Sequence, residues 1–148
     1  MIRSLVVGVA ALLGGAAFPS VPARGGAGPA TLGAAAADAR QAWERRDLRA
    51  LVAAAAGNRL LVSLPTVPAS APIPPNQAAA LLMAYVQGTE EVSVTVEAAT
   101  AVDSTRGYVR LARQYRLVGV PADRRAVILL AYRKGREFWV LTEVRVTP

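Results

Sequence analysis

The side chains that this chain offers for chemistry are carboxylates, tyrosines and arginines. Its 148 residues contain no histidine and no cysteine. The sequence therefore excludes an imidazole base, a Ser-His-Asp triad, a thiol nucleophile and metal sites of the histidine or thiolate type. A carboxylate with a tyrosine could still perform acid–base work. We expect no metal and no cofactor, because the sequence has no phosphate-binding glycine loop and no paired-acid metal motif.

The acidic residues have ordinary structural interpretations. Asp47 stands where a second helix would begin, and a carboxylate at that position caps backbone N–H groups. Five others fall on predicted helix surfaces or turns, where a solvated charge is the usual state; they are Asp38, Glu44, Glu90, Glu91 and Asp123. Glu97 and Glu143 alternate with apolar residues in predicted strands and are expected on outer faces. No catalytic residue is predicted, and the sequence favours a protein that is not an enzyme.

One arginine interrupts an apolar strand face. Arg113 shares its face with Leu111 and Tyr115 in a predicted strand. If that face lines an interior, the guanidinium needs an internal carboxylate or a bound anion. If the strand lies at a rim, Arg113 extends to water instead. The residues expected to line a small-ligand site are Arg113, Tyr115, Leu111, Trp43, Tyr85 and Thr142.

Helices are predicted in the first half of the chain and strands in the second. The elements in order are helices at 32–43 and 48–55, a strand at 59–64, a proline-rich connection at 65–75, a helix at 77–87 and a strand at 92–99. The apolar stripes of the first two helices do not share a face, which predicts a break opened by Asp47. Asn76 is expected to cap the third helix and Gly88 to end it.

The C-terminal part predicts an antiparallel meander of three strands, at 108–118, 126–133 and 138–146. The middle strand is apolar without alternation, so we expect both of its faces to be covered, one by helices and the other by a second copy of the chain. The residues predicted for this homodimer interface are Ile128, Leu130, Tyr132, Trp139 and Leu141. The last strand allows two phases, a clean alternation or a bulge near Thr142 and Glu143.

This order of elements predicts an α+β domain with N-terminal helices on one face of a curved, mainly antiparallel, cone-like sheet. It resembles the nuclear transport factor 2-like superfamily, especially its small secreted bacterial members of unknown function. The matching residues are Trp43 with Arg46-Asp47-Leu48 and Leu51, then Asn76-Gln77-Ala78 before Tyr85, then Trp139-Val140-Leu141 with Val144 and Val146. The resemblance implies a single domain over residues 31–148. Catalytic members carry an acid inside the cone, and no such motif is matched here.

The first residues read as a targeting signal. Arg3, an apolar run over 5–18 and the small residues at 21–23 predict a signal peptide over 1–23, cleaved near Ala23, followed by a flexible leader over 24–30. The apolar run is short for a membrane span. We expect a periplasmic or extracellular protein without a stable membrane anchor. An uncleaved tether is the alternative.

Three functional hypotheses follow. The first is an exported, non-enzymatic, dimeric domain that binds a small apolar or anionic ligand in the cone. The second is an isomerase- or dehydratase-type enzyme that uses a carboxylate and a tyrosine. The third is an interaction module whose arginine-rich face meets an acidic envelope partner, since the net charge is +7. The basic residues are dispersed and not grouped with aromatic ones, so specific nucleic-acid binding is not expected.

Overall fold

The structure, a computed structural model, describes residues 28–148. Helices pack against one face of a curved five-stranded sheet, and a single hydrophobic core lies between the two layers. The elements in chain order are α1 (Leu32–Glu44), α2 (Leu48–Ala53), β1 (Leu61–Ser63), α3 (Pro75–Val86), β2 (Thr89–Ala101), β3 (Arg106–Leu117), β4 (Arg124–Lys134) and β5 (Trp139–Thr147). The predicted α+β class, with helices on one side of a mainly antiparallel sheet, is confirmed.

Side-chain caps start both N-terminal helices. Thr31 Oγ1 accepts a hydrogen bond from the Ala34 N–H at 3.1 Å, and Asp47 Oδ1 accepts one from the Ala50 N–H at 3.1 Å. Between the helices, Arg46 has a φ of 57°, a left-handed conformation that turns the chain out of α1. The predicted break at Asp47 is therefore confirmed.

The third helix starts earlier than predicted. Pro75 is its first residue and Pro74 stands at the cap position, where no side chain caps the helix. Asn76 was expected at that position but lies in the first turn, and its Oδ1 accepts from the Gln77 N–H at 2.9 Å. Proline is favoured at the first helical position because it has no N–H to satisfy and its φ already suits a helix. Gly88, with a φ of 76°, follows the end of the helix as predicted.

The five strands lie in the order β1-β5-β4-β3-β2. The predicted meander is confirmed, because β3 pairs antiparallel with β4 and β4 with β5. β2 pairs antiparallel with β3 along its whole length and forms one edge of the sheet. β1 forms the other edge and runs parallel to β5, with Val62 opposite Val144.

A β-bulge in β5 decides which of its residues face the helices. Leu141 pairs with Tyr132 and Glu143 with Ala131, so Thr142 is the extra residue. The bulge reverses the alternation beyond Thr142. Four residues of β5 are buried in the core as the bulged alternative predicts: Trp139, Leu141, Val144 and Val146.

The residues predicted for a dimer interface lie beneath the helices. All five are at most 6% exposed: Ile128, Leu130, Tyr132, Trp139 and Leu141. Because the helices already cover this face, a second copy that packs on the sheet must meet other side chains. The opposite face of β4 carries Val127, Leu129 and Ala131, which are half-buried. Alternation along the strand places these three residues between the buried ones.

The predicted signal peptide over 1–23 and most of the predicted leader over 24–30 lie outside the described residues. The end of that leader is attached to the sheet, because the Trp139 N–H donates to the Pro29 carbonyl at 2.9 Å. This contact differs from the fully flexible leader that the sequence predicts. No helix within residues 28–148 is long and apolar enough to cross a membrane.

Candidate functional site

Arg113 lies inside the cone, which is one of the two placements that its strand phase allowed. It occupies the inner face of β3 and is 1% exposed. Its Nε donates to both carboxylate oxygens of Glu91 at 2.9 Å, and its Nη2 donates to Glu91 Oε1 at 2.5 Å. The interior therefore contains an arginine–glutamate ion pair, which satisfies the need of a buried guanidinium for a counter-charge.

Glu91 was expected to be a solvated acid in a turn, and this prediction is wrong. β2 begins at Thr89, which makes Glu91 a strand residue opposite Tyr115. Val92 is an extra residue at a β-bulge, because Glu91 pairs with Tyr115 and Ser93 with Gln114. The bulge lets Glu91 and Val94 point to the same inner face although they are three residues apart. Val92 therefore leaves the predicted alternation and is 43% exposed, whereas Val96 keeps the face of Val94, opposite Leu111, but is 42% exposed.

Three aromatic rings surround the guanidinium of Arg113. The distance from its Cζ to the ring centroid is 4.1 Å for Tyr115, 5.4 Å for Tyr85 and 5.6 Å for Trp43. These separations are within the range of cation–π attraction. We call Arg113, Glu91, Trp43, Tyr85 and Tyr115 the cone cluster. It draws on α1, α3, β2 and β3, so the residues that meet in it are far apart in the sequence.

A threonine and a second arginine support the cluster. Thr89 Oγ1 accepts from Arg113 Nη2 at 2.9 Å and donates to the Val86 carbonyl at 2.6 Å. The Arg46 guanidinium donates to the carbonyls of Val86 and Thr89. The cation lies at the C-terminal end of α3, where it complements the helix dipole, and it also binds the first carbonyl of β2. The αL turn at Arg46 thus helps to fix the start of β2, and with it the position of Glu91.

Two buried donors of the cluster have no hydrogen-bond partner within residues 28–148. They are Nη1 of Arg113 and Nε1 of Trp43. Both residues are 1% exposed. Buried N–H groups are nearly always paired, so two unpaired ones on neighbouring groups are unusual. Sequence reasoning selected both residues for the site but could not foresee which of their atoms lack a partner.

Two of the predicted ligand-site residues lie outside the cluster. Leu111 is fully buried on the same face of β3, one alternation from Arg113, and packs in the hydrophobic core. Thr142 lies on β5, two strands away from β3, where its hydroxyl donates to the Ala131 carbonyl at 3.1 Å. This hydrogen bond stabilises the bulge of β5.

The cluster borders solvent through its half-buried members Tyr85, Glu91 and Tyr115. The Glu91 side chain is 9% exposed. Burial raises the pKa of Tyr85, and the neighbouring Arg113 guanidinium partly offsets that rise. One cavity of about 550 Å³ lies beside α1 and α2, and one of about 250 Å³ lies against β2, β3 and β4 with Arg113 in its lining. Neither is lined by Trp43, so a guest of the cluster must be small or must move the tyrosine rings.

The geometry of the cluster is suited to binding. Both oxygens of Glu91 accept hydrogen bonds from Arg113, so the carboxylate is committed to the ion pair. Residues 28–148 contain no group of three or more acidic side chains that could hold a metal ion. What the cluster offers is a neutralised cation, three aromatic faces and two unpaired N–H donors.

Sequence comparisons find no relative, whereas structural comparisons find many. No protein-family model and no curated protein matches the chain. A ketosteroid isomerase-like protein from Erwinia carotovora atroseptica matches with a TM-score of 0.62 and 17% identity, over 80% of this chain and 96% of that one. A protein from Thiobacillus denitrificans, assigned as a calcium/calmodulin-dependent protein kinase type II association domain, gives 0.63 and 16%, over 82% and 98%. A protein with a ketosteroid isomerase-like fold from Catenulispora acidiphila, in complex with trimethylamine, gives 0.57 and 15%, over 77% and 84%.

The fold is that of the nuclear transport factor 2-like superfamily. The resemblance stated from Trp43, Tyr85 and the C-terminal strand is confirmed at this level. At these sequence identities the neighbours establish the architecture only. The chemistry of the chain must be argued from its own residues. In this fold, the helices and the inner face of the sheet form the cone, and the cone cluster is its polar part.

Proposed function

We propose that the chain is an exported, non-enzymatic domain that binds a small molecule at the cone cluster and acts as a homodimer. The observation that carries the binding proposal is the cluster itself. Arg113 and Glu91 form a buried ion pair among three aromatic rings, in a core whose other buried side chains are apolar except for Thr89. A buried ion pair contributes little to stability compared with apolar side chains of the same size, so its presence in a small domain favours a binding role.

The surroundings of the pair fit a small ligand. Aromatic faces offer contact area, and few but fixed polar groups orient a guest. The half-buried Tyr85 and Tyr115 lie at the solvent side of the cluster, where rotation of either ring would admit a molecule. The Catenulispora protein of the same fold was solved with trimethylamine, which supports the view that this fold accommodates small molecules. In the present chain the aromatic rings already surround a cation, so an amine is disfavoured as the ligand.

The alternative enzyme hypothesis has one observation in its favour. A carboxylate and a tyrosine do meet in the cone, because Glu91 lies close enough to Tyr85 to contribute to the pKa of that tyrosine. The same carboxylate accepts three hydrogen bonds from Arg113, which commits it to the ion pair. We therefore favour binding over catalysis.

The dimer proposal rests on the outer face of the sheet. Val127, Leu129 and Ala131 of β4 and Val140 of β5 form an apolar strip that is half-buried. Packing this strip against that of a second copy around a two-fold axis would cover it. Leu129→Arg should shift the mass measured by light scattering from dimer to monomer. Val118→Arg is the control, since Val118 is 61% exposed in the turn after β3. A monomeric natural protein would refute the proposed dimer.

The proposed export rests on the residues 1–23. Sequencing the N-terminus of protein recovered from the cell envelope should find a chain that begins close to Arg24. Protein that retains Met1 would overturn the cleavage.

Binding is tested by thermal denaturation with a panel of small organic molecules, at low and high salt. Ligands of the cone cluster should raise the melting temperature of the natural protein and of an Arg110→Met control. They should not raise that of Arg113→Met. A response to acidic polymers alone, lost at high salt, would favour the third hypothesis, in which the basic surface meets an acidic partner. No response to any compound would refute small-molecule binding.

A further inference from the structure

The two unpaired donors of the cone cluster identify the chemical class of the ligand, provided that the cluster binds one as proposed above. Arg113 has five N–H bonds, and those on Nε and Nη2 are directed at Glu91 and Thr89. Nη1 of Arg113 and the indole N–H of Trp43 have no hydrogen-bond acceptor among residues 28–148. Both atoms can only donate, so they call for an acceptor.

The donors belong to groups that are in contact. The Arg113 Cζ lies 5.6 Å from the centroid of the Trp43 ring. Both side chains are held in the interior, Trp43 by α1 and Arg113 by β3. A buried N–H that meets no acceptor loses the hydrogen bond it had with water in the unfolded chain. Satisfying the pair by one acceptor group is the simplest way to recover that loss.

The charge of the site argues against an anionic acceptor. The sequence alone allowed an anion as the counter-charge of Arg113, but Glu91 already fills that role. A second carboxylate at Nη1 would lie near Glu91 and leave the interior with a net negative charge, which is unfavourable in a region of low dielectric. A neutral oxygen acceptor avoids this repulsion and still satisfies both donors.

We propose that the cone cluster takes a small neutral molecule with an oxygen acceptor on an apolar body, such as a ketone, ester or amide. The acceptor oxygen receives hydrogen bonds from Trp43 Nε1 and Arg113 Nη1. The apolar body lies against the rings of Tyr85 and Tyr115, whose half-buried side chains move to make room. The molecule must be small, because neither the cavity beside α1 and α2 nor the one against β2, β3 and β4 is lined by these rings.

The test follows the two indole N–H signals of the protein by NMR, since the chain has two tryptophans. Trp139 is also buried but lies on β5 outside the cluster, so its signal is the internal control, assigned with the variant Trp139→Phe. The probes are three molecules of similar shape: cyclohexanone, which has a neutral acceptor; methylenecyclohexane, which has none; and cyclohexanecarboxylate, which is charged.

We expect cyclohexanone to shift the Trp43 signal downfield in a saturable manner and to leave the Trp139 signal in place. Methylenecyclohexane and cyclohexanecarboxylate should shift neither signal at the same concentration. Trp43→Phe, which keeps an aromatic ring but removes the donor, should weaken the binding of cyclohexanone about tenfold, the usual loss for one hydrogen bond. Its melting temperature without probe verifies that the variant is folded.

Different outcomes would reject the proposed ligand class alone or reject small-molecule binding as well. Tighter binding of cyclohexanecarboxylate than of cyclohexanone, seen at the Trp43 signal, would overturn the neutral class and keep the cone cluster as a binding site. Equal shifts with methylenecyclohexane would show that the donors take no part in recognition. Failure of all three probes and of the thermal panel would overturn both the ligand class and small-molecule binding.

Discussion

Two arginine–glutamate pairs join β2 to β3, and they lie on opposite faces of the same sheet. Inside the cone, Arg113 Nη2 lies 2.5 Å from Glu91 Oε1, and the side chains are 0% and 9% exposed. Outside it, Arg110 Nε lies 2.7 Å from Glu97 Oε2, and the side chains are 50% and 44% exposed. The arginines are three residues apart, an odd spacing that puts them on opposite faces of β3.

The contribution of each ion pair to stability depends on whether the pair keeps its water. The outer pair keeps its water and is screened by salt, so it contributes little to folding. The inner pair has lost its water, so each buried charge depends on the other for compensation. Both carboxylates lie at β-bulges of β2, since Glu97 is an extra residue and Glu91 directly precedes the extra residue Val92. The bulges turn Glu97 to the outer face and Glu91 to the inner face.

Removing one glutamate should have the largest effect. Glu91→Ala leaves Arg113 as an uncompensated buried charge and should lower the free energy of unfolding by about 3–5 kcal/mol. Glu97→Ala removes an exposed partner and should cost less than about 1 kcal/mol. Urea denaturation of the two variants measures both values. Equal losses would mean that the two environments are energetically alike.

Replacing the whole inner pair should be far milder than breaking it. The double variant Arg113→Met with Glu91→Leu should match the natural stability or exceed it by about 1–4 kcal/mol. Arg113→Met alone should destabilise, because Glu91 then loses its partner. If Arg113 were buried without a partner, as considered from the sequence, Arg113→Met would instead stabilise the fold. A double variant as unstable as Glu91→Ala would show that the pair is needed for folding.

The effect of salt on the coupling energy should also differ between the two pairs, and this difference should be smaller than the effects above. A double-mutant cycle on Arg110 and Glu97 should give a coupling energy of about 0.2–1 kcal/mol at low salt. This coupling should vanish near 1 M salt, where the Debye length is about 3 Å. The cycle on Arg113 and Glu91 should keep its coupling under both conditions. Loss of the inner coupling in salt would indicate that water reaches the pair.

The smallest expected effect concerns an exposed carboxylate of the turn between β2 and β3. Asp103 Oδ1 accepts from the N–H groups of Thr105 and Arg106 at 2.8 Å, and the pKa of Asp103 is held well below its usual value, chiefly by the backbone of Thr105. A lowered pKa means that the unfolded chain takes up this proton first as the pH falls. The stabilisation of the folded state by Asp103 is thus present at neutral pH, and it is lost as the pH falls below the usual pKa of 3.8.

Asp103→Asn tests this pH dependence. The variant should differ from the natural protein in stability at pH 6 and should approach it as the pH falls below about 4. Unfolding by urea at a series of pH values gives both curves. A difference that stays constant with pH would mean that the charge of Asp103 does not stabilise the turn.

The sequence predicts those parts of the site that depend on the two-residue period of a strand. The inward position of Arg113 follows from the apolar residues that share its face, and Trp43 and Tyr85 follow from helical spacing. The bulge at Thr142 could also be anticipated, because clean alternation would expose Trp139 and Leu141.

Glu91 could not be found in the same way. Its inward direction depends on the start of β2 at Thr89 and on the bulge at Val92. The sequence there offers an alternation of valines that fails at Val92, because a bulge in an edge strand leaves no compositional signal of its own. The faces of β4 were ambiguous for a related reason, since a strand that is apolar on both sides does not reveal which side the helices cover.

The most direct test of a binding role for the cone cluster compares the two pairs in one experiment. Cyclohexanone is titrated against the natural protein, the inner double variant Arg113→Met with Glu91→Leu, and the outer double variant Arg110→Met with Glu97→Leu. Binding is followed at the Trp43 indole signal. The account predicts that the outer variant binds like the natural protein and that the inner variant stays folded but shows no saturable shift. Equal binding by all three proteins would contradict it.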